Sequence, residues 1–303
     1  MSVLSTRAWP FFLALAIAVL ATARPAGAVT FSLGSQPLNS VFADDFNGSG
    51  TSQGGGDADT TGANNTGNGL DSTLWQWFVR NDARIQRTGG GFVNVNSSPV
   101  GTPDSNDDWN ALSKPGLLAG LAGAQVWGTQ ITFTLLDLAA GPISNDSAGV
   151  TEDRSTPIIA DMNNNDLSVF IAEDPTTRTG AGVGNFQIFA GTPFNASTTG
   201  FGTPGVQTSV ATGLARNVAH TVGLLHRSGS AVDVYVDGTL KATFASLTNT
   251  APTQTGFYDP SGYTFINMNV DSFYVGVAPV PEPATAALLA LAGLAVARRA
   301  RRA

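Results

Sequence analysis

The stretch His220–Phe244, HTVGLLHRSGSAVDVYVDGTLKATF, decides the fold class. Its apolar residues alternate in short runs, parted by Ser228-Gly229 and by Asp237-Gly238. Asp-Gly is a tight-hairpin signal because both positions tolerate positive φ. The stretch therefore reads as three antiparallel strands. The same alternation recurs elsewhere. Thr129–Leu135 (TQITFTL) sets Ile131, Phe133 and Leu135 on one face against Thr132 and Thr134. Leu167–Ala172 (LSVFIA) sets Leu167, Val169 and Ile171 against Ser168 and Phe170, and Phe186–Phe189 (FQIF) is a shorter case. Helical periodicity is almost absent between the two ends of the chain, and no repeat of about 20–50 residues is evident. The pattern predicts an all-β protein, an antiparallel β-sandwich.

Three phrases taken in order extend this reading. The meander above, the opening FADDFNG…LDSTLWQWF (Phe42–Phe78) and the closing NMNVDSFYVGV (Asn267–Val277) resemble concanavalin A-like, laminin-G-like jelly rolls. That resemblance implies that the first and last strands pair, with Phe42–Phe46 beside Val270–Val277. Residues 47–69 interrupt the pattern. They are glycine-rich, with only two alanines for apolar content. Such a segment buries too little surface to offset its ordering entropy, and it is expected to be a surface loop rather than strand.

The two ends answer to a membrane. At the N-terminus, Arg7, the apolar run Trp9–Leu20 and the small residues Ala26–Ala28 form the three zones of a secretory signal peptide. Cleavage is expected between Ala28 and Val29, with Ala23 as the alternative, so residues 1–28 leave. At the other end Ala284–Ala297 is 14 residues without a charge, roughly 21 Å as a helix. This is shorter than the ~30 Å hydrocarbon core, a gap that tilt, thinning and snorkelling narrow. Arg298, Arg299, Arg301 and Arg302 follow it and are expected to stay cytoplasmic.

The order Pro281-Glu282-Pro283, short apolar helix and terminal arginine cluster resembles the PEP-CTERM sorting signal, here residues 280–303. The resemblance implies recognition by an exosortase, a membrane-embedded cysteine transpeptidase-like enzyme of Gram-negative bacteria that make extracellular polysaccharide. The prolines keep Glu282 in an extended segment outside the helix. Signal peptidase and exosortase are thus the expected partners. The expected route is export, a transient inner-membrane anchor through residues 284–297, then the cell surface or a biofilm matrix.

Between the ends, residues 29–279 supply 251 residues, enough for one β domain with its own core. There is no cysteine, so neither disulfides nor thiol chemistry contribute. Removing Arg7, Arg24, the tail arginines and Glu282 leaves 9 basic and 21 acidic residues, a net charge of −12. This disfavours nucleic acid and anionic membrane surfaces as partners.

Candidates for chemistry are few. Asp233 and Asp237 share a strand face, but Asp237 belongs to the Asp-Gly turn and Asp233 alternates with Val232, Val234 and Val236 as a solvent-facing residue. Laminarinase-type hydrolases carry a Glu-x-Asp-x-Glu strand; this body has only Glu152 and Glu173, 21 residues apart. Glycoside hydrolysis needs two carboxylates roughly 5–9.5 Å apart, so no catalytic residue is expected. His220 and His226 lie on one strand, roughly 20 Å apart, and cannot share a metal. Calcium suits the oxygen-rich turns better. Asp161, Asn163 and Asn165 have the alternate spacing of an EF-hand-like loop, although Asp166 replaces the glycine and Ala172 stands at the twelfth place. Residues 57–59 and 104–108 are other acidic candidates. Trp75 and Trp77, spaced by two, are candidate platforms for sugar rings, with Trp109 a further aromatic and core filling the competing role. The expected function is a non-enzymatic extracellular protein, polysaccharide-binding. A glycan hydrolase or lyase and a purely structural coat protein are the alternatives.

Overall fold

A computed structural model describes residues 29–47, 52–54, 70, 73–79, 84–87, 90–96, 109–137, 155–159, 168–173, 185–192, 206–228, 231–245, 254–259 and 267–279. The predicted signal peptide and sorting tail lie outside these. In chain order the strands are β1 Thr30–Leu33, β2 Gln36–Asp44, β3 Ser52–Gly54, β4 Trp75–Val79, β5 Arg84–Arg87 and β6 Val93–Asn96. Next come β7 Trp109–Ser113, β8 Trp127–Leu135, β9 Ser155–Ile159, β10 Ser168–Glu173, β11 Phe186–Thr192 and β12 Val206–Leu214. The last are β13 Ala219–His226, β14 Val232–Val236, β15 Thr239–Phe244, β16 Gly256–Asp259 and β17 Asn267–Val277.

They form two antiparallel sheets. The larger has the order β15-β14-β13-β8-β17-β6-β5-β3, with β2 also on β17 and β1 on β2; the smaller runs β12-β11-β10-β9-β16-β7-β4. The expected meander is β13-β14-β15, and Asp237 (φ 49°) and Gly238 (φ 73°) form its second turn. The expected pairing of first and last strands is present as β2 on β17, with Phe273 opposite Asp44 and Val275 opposite Phe42.

The alternation that predicted β8 is met in three dimensions. Ile131, Phe133 and Leu135 are buried between the sheets, while Thr132 and Thr134 point outward and are half-exposed. Val169 and Ile171 of β10, with Phe186 and Ile188 of β11, supply the facing side of the same core. Thr30–Ala278 forms one unit that contains this core.

The glycine-rich segment departs from expectation. Ser52–Gly54 pairs with β5 as an edge strand, Gln53 opposite Gln86. Backbone pairing at a sheet edge needs no apolar side chain, so composition alone hid it.

A smaller apolar cluster lies on the outer face of the larger sheet, where Phe31, Leu33 and Leu38 of the β1–β2 hairpin cover Leu225 and Tyr235. Three sheet glycines admit the hairpin. A Cβ on Gly128 would stand 2.7 Å from Leu33 Cδ1 and 2.9 Å from Leu38 Cδ1. One on Gly276 would meet Phe31 Cε1 at 2.8 Å, and one on Gly223 would fall inside the Leu33 side chain. Gly128 and Gly276 are direct cross-strand partners. The Gly223→Ala variant is expected to lose about 1–3 kcal/mol by overpacking. Adding Leu33→Ala should recover part of that loss, read as a non-additive double-mutant cycle in thermal unfolding.

Candidate functional site

Trp75 corrects the sequence-based expectation. It is fully buried, ringed by Phe42, Phe46, Phe257 and Phe273 at centroid separations of 5.0, 5.9, 5.5 and 5.6 Å. Its indole Nε1–H donates to Asp44 Oδ2 at 2.7 Å, and the Phe46 amide donates to Asp44 Oδ1 at 2.7 Å. A buried indole needs an acceptor, and Asp44 supplies it from within the core. Trp75 therefore binds the sheets together and offers no platform to sugar. Trp77 lies two residues further along β4, and the side chains of Trp77 and Trp109 lie outside the described set.

Asp233 also differs from expectation. It is buried, paired with Arg227 and accepting from Thr243 Oγ1 at 2.7 Å. The alternation was read correctly, but the outer face it points to carries the hairpin over neighbouring Tyr235. Asp237 ties its turn to β13: Oδ1 accepts from the Thr221 amide at 2.9 Å and Oδ2 lies 2.9 Å from His220 Nδ1. His220 Nε2 faces the Ala215 carbonyl at 3.1 Å. Both ring nitrogens thus lie within hydrogen-bond reach of an oxygen. His226 is the opposite case. It stacks on Trp127 at 3.7 Å with rings 9° apart, neither nitrogen has a partner, and burial lowers its pKa to about 3. Both histidines belong to the packing. Neither forms a centre with the other.

Asp271 went unnoticed in the sequence. It sits on β17 between Val270, which pairs with Val93 of β6, and Phe273, which pairs with Asp44 of β2. The register with β8 shifts there, marking a bulge. Asp271 Oδ2 is buried without a hydrogen-bond partner, and burial pushes its carboxyl above the usual range. At this fork the Asn47 side-chain oxygen packs close against Gly91, just ahead of β6. Among the described residues no group of three His, Asp or Glu is gathered for a metal. Asp161, Asn163, Asn165 and the other acidic turns lie outside them.

Away from the hairpin, the larger sheet's outer face carries a hydrogen-bonded group of polar side chains. Asn94 of β6 stands opposite Asn269 of β17, which stands opposite Thr134 of β8. Asn94 Nδ2 donates to both Asn267 Oδ1 and Asn269 Oδ1 at 2.9 Å. Thr132 and Thr221 share a hydroxyl hydrogen bond of 3.2 Å one row away. All are half-buried. The signal for this cluster was present in the closing phrase NMNV, whose asparagines alternate with Met268 and Val270 in the core.

Residues 279–302 match the PEP-CTERM protein-sorting motif. No curated protein matches the chain. Among solved structures, the carbohydrate esterase of the Shiga toxin-encoding bacteriophage phi24B is similar at 12% identity, covering 80% of this chain and 100% of that one, with a TM-score of 0.45. The metal-free exoplasmic/lumenal domain of VIP36 is similar at 13% identity, covering 71% and 90%, also with a TM-score of 0.45. The botulinum neurotoxin serotype C1 binding domain is similar at 12% identity, covering 77% and 49%, with a TM-score of 0.40. Among the described residues no helix is long and apolar enough to cross a membrane, and residues 284–297 lie beyond them. The chain thus joins an antiparallel β-sandwich to a PEP-CTERM protein-sorting motif that begins two residues after its last strand.

Proposed function

We propose that this is an exported protein, cut by an exosortase and released to the cell surface or extracellular matrix, where its sandwich binds polysaccharide without catalysis. The observation that carries the reading is the placement of the sorting motif directly behind β17, which ends at Val277. The apolar, small-residue N-terminus supports the same route. Exosortase would meet Pro281-Glu282-Pro283 on the outer membrane face, with Arg298, Arg299, Arg301 and Arg302 holding the tail inside. The non-catalytic reading is supported by the duties of the carboxylates. Asp44, Asp233 and Asp237 hold an indole, a guanidinium with a hydroxyl, and a strand amide with an imidazole.

Calcium belongs to this proposal through the oxygen-rich stretch of Asp161, Asn163 and Asn165. A hard cation takes six to eight oxygens. Asp271 alone supplies one carboxylate, with no group of three acidic or imidazole side chains gathered among the described residues. The Asp161–Asn165 stretch is therefore the better place for the ion, and Asp271 serves as a stability probe. The ion would add stability and no chemistry.

Three outcomes are expected. The Glu282→Ala precursor should remain uncut in the inner membrane; its normal release would remove the exosortase claim. Residues 29–279 should be retarded in polysaccharide-containing gels and release no new reducing ends, with or without EDTA. New ends would identify a hydrolase or lyase, and neither retardation nor release a purely structural protein. Finally, a carboxyl raised in the folded state binds protons more tightly there than when unfolded. Stability should therefore fall as pH rises from the unfolded carboxyl pKa through the raised one. In EDTA, Asp271→Asn should lack that fall and melt above the wild type at neutral pH. Millimolar calcium should raise the melting temperature of the wild type and of Asp271→Asn alike, and the absence of any rise would remove calcium from the proposal.

A further inference from the structure

The outer face of the larger sheet has two halves. The β1–β2 hairpin closes one over Gly128 and Gly223. The described central positions of the other are amides and hydroxyls rather than charges, in a body of net charge −12.

We propose that the Asn94–Asn267–Asn269 amide block, continued over β8 by Thr134 and Thr132, binds an uncharged polysaccharide chain. The inference rests on the polysaccharide-binding reading above and names its site and ligand class. Asn94 uses its amide nitrogen on two neighbours at once. That leaves the Asn94 carbonyl oxygen and the Asn267 and Asn269 amide nitrogens with no hydrogen-bond partner among the described residues. Were all three amides turned over, the roles would exchange and the block would still offer both donors and acceptors. Sugar hydroxyls are donors and acceptors too, so the surface and a neutral glycan are complementary group by group.

One physical feature distinguishes this face from an ordinary solvated sheet, and the general spacing of strands adds to it. The amides are fixed by one another and half-buried, so little side-chain freedom is lost on binding. Neighbouring strands place the rows about 4.8 Å apart, and alternate residues along β17 repeat at roughly 6.8 Å, a grid on which successive hydroxyls of an extended chain find partners. An anionic glycan meets a net-negative body.

The test is affinity electrophoresis of residues 29–279, whose core lies wholly inside the unit Thr30–Ala278. Gels would contain dextran, hydroxyethylcellulose or a neutral β-1,3-glucan, and alginate as the anionic comparison. The wild type should be retarded in at least one neutral gel, with retardation surviving about 0.5 M salt. Asn94→Ala combined with Asn269→Ala should weaken that retardation by roughly tenfold or more. Asn267→Ser, which leaves the Asn94–Asn269 bond in place, serves as the milder variant should the double variant fail to fold by circular dichroism, with a smaller loss expected. Gln187→Ala on the other sheet should match the wild type. Neutral-gel retardation unaltered in folded Asn variants would overturn the site while leaving polysaccharide binding standing. Retardation by alginate alone would overturn the uncharged ligand, and none in any gel would overturn both readings.

Discussion

Strand β17 exchanges backbone hydrogen bonds on both edges. Strand β8 runs beside it from Met268 to Val277, and on the other edge β6 takes Asn267–Val270 before β2 takes Phe273–Val277. The larger sheet is one object only because this strand joins its parts. Against β8 the register of β17 shifts between Val270 and Ser272, and at this bulge Asp271 Oδ2 is buried without a hydrogen-bond partner. The same strand sends Met268, Val270, Phe273 and Val275 into the core and Asn267 and Asn269 outward.

Packing between the sheets follows from large aromatic side chains with a single buried acceptor among them. Trp75 contributes area on every side, and each well-buried aromatic is worth about 1.5–3 kcal/mol. Its N–H would forfeit much of that unpaired. Asp44 resolves this while also receiving the amide of Phe46, a residue held at φ 53°. The outer face uses the reverse device. Side chains are deleted at Gly128, Gly223 and Gly276 so that apolar residues of the hairpin approach the backbone.

The meander, β8 and the first-to-last pairing were legible because each has its own signal: an Asp-Gly turn, strict alternation, or a familiar pair of phrases. What escaped was contextual. Whether Trp75 faces solvent depends on which sheet covers β4, and alternation within WQW carries no such information. Asp233 alternates as a solvent-facing residue does, but its face is roofed by a hairpin nearly 200 residues earlier in the chain. Ser52–Gly54 has no apolar side chain to announce a strand. The Asn94–Asn267–Asn269 contact joins residues 173 and 175 positions apart, and only pairing of β6 with β17 reveals it.

Asn39 stands opposite Thr30 on one side and Val277 on the other. Two strand spacings, about 10 Å, therefore separate the beginning of the body from its finish. A domain with ends this close is nearly a closed ring of chain. A few added residues would join the ends, so that new termini opened at an exposed turn would yield a circularly permuted sandwich with the same pairings. The whole body is equally suited to insertion as a cassette into the surface loop of another protein.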